Sequence, residues 1–174
     1  PDGYGDHTLA NFNVAVLQWN KATSAAQFGD NLQGYIDSSN AAGFHKTNRL
    51  SFGRYSVASE ILVDSTTDST SAVDHRNFIL KGEGGFGTEY ASEIRGTVND
   101  AAKSVVKAKS VANLQIKDVA LTTNQPNVGS ILEINADDDP AYSSHGGSVS
   151  GCYFQSFNAT PVDAIVKVVA LAVL

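Results

Sequence analysis

Two stretches of this chain carry the same short pattern, and that pattern limits the folds open to it more than any other feature. Residues 104–122 read SVVKAKSVANLQIKDVALT and residues 147–154 read GSVSGCYF. From Leu114 to Leu121 apolar and polar residues alternate, slipping by one at Asp118-Val119. Period two marks a half-buried strand, and a slip at a polar residue marks a bend between two strands. Laid over each other, Ile116 falls on Val149, Asp118 on Gly151, Val119 on Cys152 and Leu121 on Phe154. Repetition of an apolar-polar-turn-apolar unit predicts stacked β structure, each turn of chain lying on the one before.

The rest of the chain fits short strands better than helices. Arg49 to Val63 (RLSFGRYSVASEILV), Asn77 to Gly82, Glu93 to Gly96, Ser130 to Ala136, Val149 to Phe157 and Asp163 to Leu174 read as strands, the first broken at Gly53. Asn99 to Lys103 reads as a polar break. Turn clusters separate these strands, and no stretch after Gly43 has the amphipathic period of a βαβ crossover helix. Two helices are expected before that point. Leu9, Phe12, Val16 and Trp19 share one helical face, and residues 31–42 form a second helix with Gly43 as its C′ residue. The expected class is all-β: a right-handed parallel β-helix, or solenoid, with N-terminal capping helices. Residues 1–47 would form the cap and linker, and residues 48–174 the first turns.

Composition narrows the partners. A net charge of −6 argues against nucleic acid or an anionic membrane. No apolar run reaches the roughly 20 residues of a membrane-spanning helix. The lone cysteine, Cys152, has no internal disulfide partner and reads as a packing residue. The last residues, AIVKVVALAVL, are apolar and carry no polar cap. Because stacked folds need polar caps, this ending predicts a chain that continues past Leu174.

Few residues suggest chemistry. Glu83 to Gly87 (EGGFG) lacks both the spacing of a dinucleotide loop and the Lys-Ser/Thr of a P-loop. Glu133, Asp137, Asp138 and Asp139 are the candidate catalytic carboxylates, with His145 on the same loop. The aspartate run reads first as a solvated turn before Pro140; a calcium site is a minor alternative, because alternating ligands around a glycine are missing. His7, His45 and His75 have no metal-ligand spacing, so no metal and no cofactor is expected.

The stretch GDNLQGYIDSSNAAGFHKTNRLSFGRYSVASEILV resembles the opening of the pectin-lyase-like right-handed β-helix, especially in phage tailspikes and polysaccharide depolymerases. Leu32, Ile36, Ala41, Ala42, Gly43, Leu50, Phe52, Gly53, Tyr55, Val57, Ile61 and Val63 carry the resemblance. FILKGEGGFGTE, VANLQIKDVALT and GGSVSGCYFQSF resemble later turns of the same fold. The usual proline of the glycine turn is absent from Phe52-Gly53-Arg54. The resemblance implies a homotrimeric tailspike, extracellular on the virion tail among other tail proteins. It would bind bacterial surface polysaccharide and cleave it as a glycoside hydrolase or polysaccharide lyase, with the active site in central turns beyond Leu174. A non-enzymatic virion fibre or adhesion module and a secreted bacterial polysaccharide lyase are the alternatives.

Overall fold

The structure is a computed structural model that describes residues 32–41, 47–50, 52–64, 78–84, 92–109, 111, 113–135, 146–158 and 164–169. The expected helix around Trp19, Asp137 to Asp139 and all four histidines lie outside the described residues.

Among the described residues, one helix, α1 (Leu32–Ala41), precedes twelve strands. The strands are β1 (Thr47–Arg49), β2 (Gly53–Val57), β3 (Ile61–Asp64), β4 (Ile79–Lys81), β5 (Ser92–Gly96) and β6 (Asp100–Lys109). They continue with β7 (Leu114–Lys117), β8 (Ala120–Thr123), β9 (Val128–Asn135), β10 (Gly147–Ser150), β11 (Tyr153–Ser156) and β12 (Ala164–Val169). Each sheet takes every third strand. Sheet A is β1-β4-β7-β10, sheet B is β2-β5-β8-β11 and sheet C is β3-β6-β9-β12. Every pairing is parallel. The chain therefore visits the three sheets in the same order four times.

The register confirms the overlay read from the sequence, because Ile116 pairs with Val149 and Leu121 with Phe154. Asp118 and Gly151 mark the same bend, with φ of 55° and 62°. The corner between sheets A and B is itself hydrogen-bonded. Leu50 N–H donates to Lys81 O (2.8 Å), Gly82 N–H to Lys117 O (2.9 Å) and Asp118 N–H to Ser150 O (3.0 Å). Gly82 has no room for a side chain, since an added Cβ would lie 2.2 Å from the Asp118 carbonyl oxygen. Residues 100–103 are not a polar break but the start of β6, and the register shift between Asp100 and Ser104 absorbs their irregular pattern.

In-register stacking turns the inward positions into columns. Asn48, Leu80, Ile116 and Val149 form one; Tyr55, Ile94, Leu121 and Phe154 a second; Ile61, Val106, Leu132 and Val166 a third. Their members in the first three passes are buried. Burial at roughly 25 cal/mol per Å² of apolar surface is the main stabilising contribution. The fourth pass differs. Val149 is 40% and Val166 42% exposed although both occupy core positions.

At the other end, α1 buries Leu32 and Ile36 in the same core. Gln33 treats β3 as a neighbouring strand would. Its Oε1 accepts from Leu62 N–H at 2.7 Å and its Nε2 donates to Leu62 O at 2.8 Å. Those backbone groups lie on an open sheet edge, so the side-chain amide satisfies what another strand otherwise would.

Candidate functional site

The outward positions also stack into columns, and each sheet has at least one that carries charge. On sheet B, Arg54 lies opposite Glu93. The Glu93 side chain is fully buried and every approach to it is taken. Arg54 Nε donates to Oε2 at 2.7 Å, Arg95 Nη2 to Oε1 at 2.7 Å and Thr122 Oγ1 to Oε1 at 2.6 Å. Arg95 in turn stacks on the Phe157 ring at 4.6 Å. Burial pushes the Glu93 carboxyl upward, but the hydrogen bonds from Thr122, Arg54 and Arg95 outweigh it and hold the group below its ordinary range.

On sheet C, Glu133 sits between Lys107 and Lys167 in neighbouring strands. Lys107 Nζ lies 3.0 Å from one carboxylate oxygen and Lys167 Nζ 3.6 Å from the other. Ser104 Oγ donates to Glu133 at 3.2 Å and shares a 2.7 Å hydrogen bond with Ser130 Oγ. Burial raises the Glu133 pKa, while Lys107, Lys167 and Ser104 together bring it below the usual value. Glu133 is thus an ionised carboxylate fixed between ammonium groups. A general acid needs a carboxyl held protonated instead. The other candidates, Asp137, Asp138 and Asp139, lie outside the described residues.

Sheet A is built differently. Arg49 pairs with Lys81, and Lys81 with Lys117. Neighbouring strands are about 4.8 Å apart, so three cations stand in one file. Like charges directly opposite each other are destabilising. Among the described residues, none of the three forms an ion pair.

Beside this file lies a hollow of about 450 Å³ lined by Arg49, Phe52, Lys81, Gly82, Glu83 and Asp118. The resemblance places Phe52 in the glycine turn without assigning it a site, and the structure leaves it 49% exposed on the rim. Gly82 lets the chain pass against the Asp118 carbonyl and so shapes the floor. The lining of the hollow combines one aromatic residue, two basic residues and two acidic residues. Sequence reasoning singled out none of these as a site. The available signal was alignment: once all passes are superposed, positions 49, 81 and 117 coincide.

Cys152 is half-buried against the core, and its Sγ–H faces Ser150 O at 3.3 Å. Burial pushes its thiol pKa upward, which disfavours the thiolate. Among the described residues no group of three His, Cys, Asp or Glu side chains is placed to hold a metal ion. No described helix is long and apolar enough to cross a membrane.

No family model matches the chain, and neither a curated protein nor a solved structure matches it.

Proposed function

We propose that the four passes are turns of a right-handed parallel β-helix closed at its first turn by α1, and that the protein is a bacteriophage tailspike. In this reading it is a homotrimer on the virion tail that binds bacterial surface polysaccharide and depolymerises it. Strand order supports the solenoid, since every sheet takes each third strand. Handedness follows from the rule that parallel crossovers are right-handed in about 98% of cases. The observation that carries the binding role is the hollow beside Phe52. A sugar ring has an apolar face and a rim of hydroxyl donors and acceptors. Phe52 matches the face, and Arg49, Lys81, Glu83 and Asp118 match the rim.

The state of Glu133 favours a second reading, a non-enzymatic fibre or adhesion module on the same scaffold. Its oxygens are already engaged by Lys107, Lys167 and Ser104. One experiment separates the two. Purified capsular or lipopolysaccharide glycan is incubated with the protein, and binding, new reducing ends and unsaturated sugars are measured together. Binding with new reducing ends alone indicates a hydrolase, binding with unsaturated ends a lyase, and binding alone the adhesion module. Absence of binding to every bacterial glycan tried sinks both readings. Native mass spectrometry is expected to show a trimer, and a monomer that still binds glycan would remove the tailspike assignment.

A further inference from the structure

The charged columns of sheets B and C are compensated strand by strand, and that of sheet A is not. Glu93 lies opposite Arg54, Asp64 opposite Lys109, and Glu133 between Lys107 and Lys167. Each is also an ion pair, with N–O distances of 2.7 Å for Arg54–Glu93, 3.0 Å for Lys107–Glu133 and 4.0 Å for Lys109–Asp64. Arg49, Lys81 and Lys117 repel one another along the stack with no such partner among the described residues. Arg49 and Lys81 are exposed and Lys117 half-buried, so the file faces solvent beside the hollow. The chain as a whole is acidic, with a net charge of −6 that already includes these three cations.

We infer that the file is a subsite for an anionic saccharide chain lying along the stack, across the strands. Its negative groups meet Arg49, Lys81 and Lys117, and a ring between them rests on Phe52. This inference rests on the saccharide-binding reading above and adds the ligand's charge and direction. Carboxylate and sulfate substituents would satisfy the same cations. Glu83 and Asp118 make the site more than a bare polycation, because their acceptors select hydroxyl-bearing chains over a simple polyanion.

The test is a set of titrations of the whole chain at two salt concentrations against polygalacturonate, dextran sulfate, neutral dextran and duplex DNA. Polygalacturonate or dextran sulfate is expected to bind, more weakly at high salt, and the tighter of the two identifies the anionic substituent. Lys81→Glu is expected to weaken that binding at least tenfold and to flatten its salt dependence, with an unchanged circular dichroism spectrum. Phe52→Ala is expected to weaken it several-fold with the salt dependence intact. Dextran bound as tightly as the anionic chains, independent of salt, overturns the anionic inference and leaves the saccharide reading standing. Binding of none of the saccharides removes both. DNA bound as tightly as the anionic glycans also overturns the inference, since the file would then be a nonspecific polyanion site. If the anionic glycans bind but Lys81→Glu binds them unchanged, the site lies elsewhere.

Discussion

Sheets A and C are made by the same operation, parallel stacking in register, yet their outward columns have opposite electrostatics. Sheet C alternates lysine, glutamate and lysine at positions 107, 133 and 167, and its carboxylate is drawn into contact with both neighbours. Sheet A places Arg49, Lys81 and Lys117 in the equivalent arrangement with no carboxylate between them. Register forces equivalent positions into proximity in both cases. Only in sheet C does the sequence use that proximity for stability. The contrast teaches that a stacked sheet amplifies each outward substitution, because every residue of an inner strand has a partner about 4.8 Å away on each side.

The comparison breaks most sharply at Glu93. Glu93→Ala leaves Arg54 and Arg95 facing a vacated buried position. It is expected to cost about 3 kcal/mol, at the low end for breaking a buried pair because Arg54 is 44% exposed. Urea unfolding measures this, and a loss below about 1 kcal/mol would mean that the compensated columns are not stabilising. Glu133→Ala turns sheet C into a copy of sheet A and is expected to cost about 1–2 kcal/mol. Adding Lys107→Ala should recover part of that loss by removing the new repulsion, which a double-mutant cycle reads directly.

A pH series sharpens the same point. Glu93 and Glu133 both have folded-state pKa values below their unfolded ones. Their contribution is therefore complete above the ordinary glutamate pKa of about 4.3 and is lost as pH falls through the lower folded values. The unfolding midpoint should fall with acid in that window, and the fall should be shallower in Glu93→Gln. An equal acid slope in that variant would show that Glu93 is not part of the response. The smallest effect is expected on sheet A. Lys81→Ala should leave stability unchanged or raise it by at most about 0.5 kcal/mol. A clear loss would show that the sheet A file is structural.

Much of the fold was legible because strand pattern is local. The alternation from Leu114 to Leu121 and its slip at Asp118 gave two strands and the bend, and the overlay on residues 147–154 gave the true register of the third and fourth passes. The start of β6 was not legible, since the eye sees Asn99 to Lys103 as polar while the sheet accepts it through a register shift. Glu133 was found as a carboxylate, but its two lysines come from other passes. Glu93 drew no notice for the same reason, since Arg54 and Thr122 lie 39 and 27–29 residues away from the groups they meet.

The sequence by itself determined the all-β character, the bends and the inward apolar positions, because each depends on residues within one or two strands. Tertiary structure decided which distant positions share a column. Residues 49, 81 and 117 are separated by connections of unequal length, so no fixed period brings them together. Their file of cations also sits in a chain of net charge −6, where summed composition conceals it. Backbone hydrogen bonding between whole passes sets that register, and with it where charge is neutralised and where it is left uncompensated among the described residues.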